Sequence, residues 1–369
     1  MKIRYAVNAR IPTHRAHGLQ VMKTCEALVQ AGADVELIVP KRPGTSPADP
    51  YAYYSVKPIF QITYLPTLEF FWRGYSRAFA LQTLAFTLSL AWHLKRYVER
   101  DSVLYVRGEL GWLLPLVSRA GFVWENHIKA RRERSEARAV RRARGIVVVT
   151  KYYRDDLIRK YSLSPQSVLV APDGVDLGQF GTAMNKREAR TRLGLPQDKK
   201  LALYVGSDLP WKGLRYLREA GQFLPDEYEI VFVGSISSSD SGSNQRYVGL
   251  RQYEEIPVWL AAADALILTG DPASDTARHY TSPMKLFEYM AARRPIVASD
   301  LPSFRDVLSE ETAVLVPPAD PQALAEGIIR AVTGPDSQAR VNAAREAVEQ
   351  FSWPRRAERI LAFIRNRES

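Results

Sequence analysis

Lys285 and Glu288 lie three residues apart within "SPMKLFEYM", where Met284, Phe287 and Met290 recur at helical spacing. At that separation the two charges share one face of a helix whose other face is apolar. A carboxylate held there is a bidentate acceptor for two neighbouring hydroxyls, such as a ribose diol, and a lysine beside it suits phosphate. Thr281 or Ser282 can cap the helix, and Pro283 suits its first turn. The plain alternative is an exposed i,i+3 ion pair worth roughly a few tenths of a kcal/mol.

Two further places could receive an anion. In "LALYVGSDLPWKGLRYLREA" Gly206 ends a strand-like run, and Lys212 and Gly213 stand just ahead of a helical pattern. A lysine there reaches the crevice beyond the strand ends, where open α/β sheets bind ligands. A solvated lysine is the commoner fate, but Trp211 beside it argues for an anchored loop. Nearer the start, the first strand ends near Asn8, and "ARIPTHRAHG" leads into a helix beginning around Gly18. Unpaired N–H groups at such a helix start favour phosphate, although a plain strand-to-helix turn has the same look. The dinucleotide fingerprint G-x-G-x-x-G is absent from this turn, which disfavours an ordinary dehydrogenase. No side-chain nucleophile stands out, and no carboxylate pair looks placed for a metal. Asp173 and Asp176 frame "DGVD", which reads as a turn.

The elements that must hold these residues are legible as short apolar runs. "IRYAV", "VELIV", "VLYV", "GFVW", "GIVVV" and "SVLVA" fall in the first half, and "LALYVG", "EIVFVG", "ALILT", "PIVAS" and "TAVLV" in the second. Such runs alternating with helices imply parallel sheets covered on both faces, and there are too many for one ordinary sheet. The fold expected is α/β, with two doubly wound domains. The break falls near residue 180, giving domains over 1–180 and 181–350 and a helical tail over 351–369 interrupted at Pro354.

Composition bounds the partners. The chain has 369 residues, 46% apolar and 25% charged, so it is globular rather than disordered. Its net charge of +11 calls for a partner that is locally anionic. No nucleic-acid-binding signature accompanies that charge, so specific nucleic-acid binding is not expected. Cys25 is the sole cysteine, which excludes an intramolecular disulfide and fits a reducing cytoplasm. "MKIRYAVNAR" reads directly as a first strand, without the apolar core of a signal peptide. Residues 78–94, "AFALQTLAFTLSLAWHL", lack any charge and are flanked by Arg77 and by Lys95 and Arg96. A buried helix is favoured over a span, since polar residues dilute the stretch. The aromatic and basic "LEFFWRGYSR" before it keeps open a helix lying on a membrane surface, peripheral at the inner face. In residues 127–144 eight Lys or Arg stand against two Glu, which reads first as a solvated helix face.

"YVGSDLPWKG", "PVWLAAADALIL", "SPMKLFEYMAARRPIVASDLPS" and "APDGVDLGQF" together resemble the retaining family 4 glycosyltransferases, of the GT-B fold. The resemblance extends to "YVRGEL", "WENH" and "FSWPRRAERIL", and so to nearly the whole chain. It implies two Rossmann-like domains facing across a cleft, with the C-terminal helix crossing back to the first. A nucleotide sugar, UDP- or GDP-linked, would be bound as co-substrate by the second domain, and a sugar or lipid-linked acceptor by the first. By this match Glu288 holds the donor ribose, Lys212 neutralises the diphosphate, and His127 stands near the reacting sugar. The donor set implied further includes Gly18, Gly206, Ser207, Ser282, Lys285 and Leu286, with Leu250 and Arg251 at the turn that cradles the base. No cofactor is implied.

The sequence departs from the family pattern in three places. Tyr280 replaces the glutamate eight residues before Glu288 that normally touches sugar hydroxyls, as in a subset with an "SPxKLFEYMA" core. Ser207 stands where many members carry an arginine, and "RAHG" with Arg15 and His17 replaces a glycine pair. The reaction implied is glycosyl transfer with retention, assisted electrostatically by Lys212 and Lys285, in polysaccharide or glycolipid assembly. Two rivals are a nucleotide-sugar epimerase of similar fold, for which no acid–base set is visible, and a catalytically silent sugar-nucleotide-binding protein.

Overall fold

A computed structural model of the chain describes residues 1–42, 48–68, 75–97, 99, 101–127, 133–181, 184–237 and 242–368, with the backbone alone at 75–77 and 368. The aromatic segment 69–74 and the basic residues 128–132 singled out above lie outside the described residues.

The chain forms two compact units, one made of Met1–Pro172 with Trp353–Ser369 and the other of Asp173–Ser352. The division thus falls a few residues ahead of the position read from the sequence. "APDGVDLGQF" straddles it: Val175 donates its N–H to Phe351 within the second unit.

The first unit is built on seven strands, β1 Lys2–Ala6, β2 Asp34–Pro40, β3 Gln61–Leu65, β4 Val103–Arg107, β5 Phe122–Asn126, β6 Ala143–Val148 and β7 Val168–Val170. They pair in parallel in the order β3-β2-β1-β4-β5-β6-β7. The second unit has six, β8 Lys200–Val205, β9 Tyr228–Val233, β10 Gln245–Gly249, β11 Ala265–Leu268, β12 Ile296–Ser299 and β13 Val314–Val316, ordered β10-β9-β8-β11-β12-β13. These too are all parallel. Central strands such as β8 and β11 are apolar along their length because helices cover both faces of the sheet. In each sheet the strand order reverses once, between β1 and β4 and between β8 and β11, the points where doubly wound sheets generally open a crevice at their carboxyl ends.

β3 and β10 carry no continuous apolar run, and the sequence did not announce them. Both are outermost strands, and their residues are mostly half-buried or exposed. An edge strand buries too little side chain to need an apolar run.

At the crevice end of the second sheet two backbones nearly touch. Gly206 donates its N–H to Val233, and a Cβ on Gly234 (φ +133°) would stand 1.8 Å from the Gly206 carbonyl oxygen. Only glycine fits at position 234.

The Tyr75–Tyr97 helix is not the buried helix expected. Phe86 and Leu90 face the core, but Leu81, Leu84, Leu88 and Trp92 are 53%, 39%, 51% and 59% exposed. No helix among the described residues is long and apolar enough to cross a membrane. In the Glu133–Arg142 helix the face is not wholly solvated either. Glu136 is buried and takes bonds from Tyr153, Lys160 and Tyr161.

Candidate functional site

The second unit gathers its polar groups at the start of the Met284–Ala291 helix and at the end of β8. The helix packs Leu286, Phe287, Tyr289 and Met290 into the apolar core beneath it. Its cap is not the one expected. Pro283 itself occupies the N-cap, no side chain caps the helix, and the Ser282 hydroxyl is enclosed without a partner among the described residues. Leu286 presents nothing to the crevice: its side chain is in the core and its N–H is donated to the Pro283 carbonyl.

Lys285 and Glu288 do share a face, but they form no ion pair and neither charge is out in solvent. Glu288 is 5% exposed, and its Oε1 accepts the Tyr253 hydroxyl at 2.9 Å. Burial pushes the carboxyl up to about 7, against the Tyr253 bond and the Lys285 charge, which pull it down. The Lys285 ammonium lies 3.6 Å from the centre of the Tyr204 ring and has no hydrogen-bond partner among the described residues. Burial first, and the Lys212 charge second, hold it well below its ordinary range. A cation enclosed with only a ring face for company is costly, and an anion brought alongside would relieve it.

Lys212 completes the group. It ends the short Pro210–Lys212 turn, donates to the Ser207 hydroxyl at 2.8 Å and sits over Trp211. Burial lowers it to about 8. Its backbone is fixed from behind by Thr269, whose hydroxyl donates to the Lys212 carbonyl. Gly206 and Ser207 thus lie beside the two lysines, held by the strand end. Tyr280 is buried at the end of the Thr276–Tyr280 turn, directly ahead of this helix start. Leu250 is 61% exposed just beyond β10, and the Arg251 guanidinium lies over Trp259. They stand three and two residues before Tyr253, the partner of Glu288. Tyr253 and Tyr204 are site residues that sequence reasoning missed. Tyr204 lies two residues before Gly206 and Tyr253 beside Glu254 and Glu255, but nothing local shows what either ring contacts, and the Tyr253–Glu288 pair spans 35 residues.

The first unit holds a second polar group, at the carboxyl ends of β1, β4 and β5. Gly18 is the third residue of the Ala16–Gln30 helix, which starts two residues earlier than expected. A Cβ there would meet the Tyr54 hydroxyl at 2.3 Å, so packing alone requires the glycine. Glu125 is fully buried and accepts from Tyr5 (2.8 Å), Gln20 (3.2 Å), His127 (2.8 Å) and Arg356 (2.5 Å). Burial opposes its charge, but Arg356, His127 and Arg107 outweigh that and keep the carboxyl well below its usual range. His127 contacts Arg107 through Nδ1 at 3.2 Å. A guanidinium only donates, so Nδ1 accepts and the imidazole proton sits on Nε2, facing Glu125. Both ring nitrogens are therefore engaged within the unit. Arg356 and Arg107 had not been singled out; nothing local marks Arg356 as the partner of Glu125, 231 residues away.

Among the described residues no group of three or more His, Cys, Asp or Glu could hold a metal ion.

Comparison with known proteins joins these two groups to a family. Glycosyltransferase Family 4 matches residues 18–179, and Glycosyl transferases group 1 matches residues 199–333. The chain is 25% identical over 387 residues to the D-inositol 3-phosphate glycosyltransferase of Xylanimonas cellulosilytica, covering 92% of this chain and 89% of that one. It is 31% identical over 199 residues to TuaC of Bacillus subtilis (strain 168), a glycosyltransferase named for teichuronic acid biosynthesis. That match takes in 52% of this chain and 49% of TuaC, so the chain spans about half the length of that relative. Anabaena HepE in complex with UDP-glucose shares the fold, with a TM-score of 0.76 at 14% identity over 99% of this chain and 100% of that one. With a glycosyltransferase description on each half and a parallel sheet with one order reversal in each unit, the chain belongs to the glycosyltransferases of GT-B fold.

Proposed function

We propose that this glycosyltransferase moves a sugar from a nucleoside-diphosphate donor to an acceptor hydroxyl with retention at the anomeric carbon. The observation that carries the reading is half-buried Lys212 and the enclosed ammonium of Lys285, neither bonded to an anion among the described residues, beside a buried carboxylate at a helix start. A diphosphate would supply the anion that both ammonium groups lack among the described residues, and the Glu288 carboxylate would accept from the ribose diol. A fold neighbour solved with UDP-glucose supports a nucleotide sugar as the donor.

In the reaction the anomeric C–O bond to the diphosphate breaks and a bond to the acceptor oxygen forms on the same face. The acceptor's proton passes to an oxygen of the leaving diphosphate. The protein's contribution is electrostatic: Lys212, Lys285 and the uncapped N–H groups at the Met284 helix start stabilise the developing negative charge. His127, with both nitrogens engaged, holds Arg107 rather than shuttling a proton. Tyr280, where a carboxylate would contact sugar hydroxyls, selects the sugar. The acceptor is a sugar or a lipid-linked sugar in polysaccharide or glycolipid assembly, reached from an anionic membrane surface. The exposed stripe Leu81, Leu84, Leu88 and Trp92 supports that contact, since the helix carries no acidic residue from 75 to 97 and ends in Lys95 and Arg96. Cations flanking the stripe would repel one another if two copies paired through it.

Calorimetry with UDP and GDP, followed by a nucleotide-sugar panel scored for nucleoside diphosphate release, tests the proposal. Glu288→Ala should weaken nucleotide binding at least about tenfold, the scale of a lost charged hydrogen bond. Unchanged affinity in a folded variant removes Glu288 from the donor site. Isomerisation of the donor without transfer would make the protein an epimerase instead.

A further inference from the structure

We infer that Tyr253 and Glu288 read the donor ribose as a pair, one hydroxyl on the second carboxylate oxygen and its neighbour on the phenol oxygen. The enzyme then takes sugars linked to a ribonucleotide and rejects those linked to a 2′-deoxynucleotide. The inference rests on the reading above that Glu288 meets the ribose, and it divides between two residues the bonds that one carboxylate was expected to make.

A carboxylate alone could take both hydroxyls of a diol, one on each oxygen. In this protein one oxygen is already engaged, since Glu288 Oε1 accepts the Tyr253 hydroxyl at 2.9 Å. No described residue donates a hydrogen bond to Oε2, and the Lys285 ammonium forms no bond with it. A phenol has one proton to give and lone pairs with which to accept. The Tyr253 proton is committed to Glu288, so what its oxygen offers an incoming group is a lone pair. A ribose diol brings two donors on adjacent carbons, and the pair offers two neighbouring acceptors, Oε2 and the phenol oxygen.

Tyr253 is held in place for this task. It opens the short Tyr253–Glu255 turn after β10, which reciprocal bonds between Gln252 and Glu255 close. Its ring packs against that of buried Phe180, with centroids 5.5 Å apart. Phe180 in turn ends a helical turn whose start Asp176 caps. The ring alone would serve that packing, so the placing of the hydroxyl against Glu288 is a separate feature. Burial raises the Glu288 carboxyl and Asp173 adds to the rise, while the Tyr253 bond and Lys285 pull it down. The phenol thereby also helps to keep the carboxylate charged, as it must be to accept. A site built to bond a substrate hydroxyl rejects the analogue that lacks it, because its own polar groups are then left unpaired.

The plain alternative is that Tyr253 only satisfies a buried carboxylate, and calorimetry on the full chain separates the two. The probes are UDP, 2′-deoxy-UDP and 3′-deoxy-UDP, or the guanosine series if GDP binds more tightly, against the wild type and Tyr253→Phe. Each protein is measured at its pH of tightest binding. Loss of the phenol removes a bond that lowers the Glu288 carboxyl, so the acid limb of the affinity should move upward in the variant. Each deoxy analogue should bind the wild type at least about tenfold more weakly than the parent diphosphate. In Tyr253→Phe one of those penalties should vanish and the other persist. The analogue whose penalty vanishes should bind the variant as tightly as it binds the wild type, which also shows that the variant folds. The inference falls if the wild type does not discriminate, if Tyr253→Phe keeps or loses both penalties together, or if it weakens all three probes alike. Failure of the wild type to bind either UDP or GDP would instead overturn the donor reading.

Discussion

At the residue scale the protein keeps charge where burial opposes it. Lys212, lowered to about 8 by burial, is mostly protonated at neutral pH and loses its proton above that value. If it faces the donor diphosphate while the Glu288 carboxylate accepts from the ribose, UDP affinity rises as pH passes about 7 and Glu288 ionises, then falls as pH rises through about 8 and Lys212 loses its proton. Titrating the dissociation constant from pH 6.5 to 9.5 should show that alkaline decline in the wild type and a weaker profile in Lys212→Ala that lacks the decline centred near pH 8. The same variant should turn over about 10²-fold more slowly, as for other lost charge-stabilising donors. A full rate in Lys212→Ala would remove it from the mechanism. Much of this was legible: the i,i+3 spacing placed Lys285 and Glu288 together, and the loop after "YVG" placed Lys212 near a strand end. What the spacing could not show is the partner each residue takes. Glu288 bonds Tyr253 and Lys285 lies on Tyr204, contacts between segments that only the folded sheet brings together.

The element scale turns on how closely strand ends approach. Gly234→Ala forces a Cβ against the Gly206 carbonyl at a positive φ, and nothing nearby is a flexible side chain that could yield. Its cost should be about 2 kcal/mol or more in urea unfolding. Gly249→Ala, also at positive φ but with open space around it, should lose only about 1 kcal/mol. Equal losses would mean that the close approach at Gly234 is relieved by a backbone shift. The eleven apolar runs all became strands, since a strand covered on both faces must be apolar throughout. β3 and β10, two of the four outermost strands, left no such mark: their residues are mostly half-buried or exposed. The helix starts were harder to read: a Thr or Ser ahead of an apolar run signals a cap, yet Pro283 took that place, and the Ser282 hydroxyl is enclosed and has no bond among the described residues.

For the whole molecule, a net charge of +11 and one exposed apolar stripe set the terms of association. Flotation with vesicles containing about one-third anionic lipid should recover the protein at low salt, less at 0.5 M salt and little with neutral vesicles. The double variant Leu88→Glu, Trp92→Glu should cut the bound fraction about tenfold without altering UDP affinity. Salt-insensitive binding, or no effect of the variant, would move the contact elsewhere. A different consequence follows from the route of the chain, which leaves the first unit after Pro172 and returns to it at Trp353. Arg356 is the cation that balances the fully buried Glu125, and it also donates to the Pro172 carbonyl, the last residue before the departure. During synthesis the first unit must wait for the entire second unit before its interior charge is neutralised. Arg356 therefore acts as a latch that closes last, and a nascent chain halted short of it would hold an unbalanced carboxylate at the heart of its first domain.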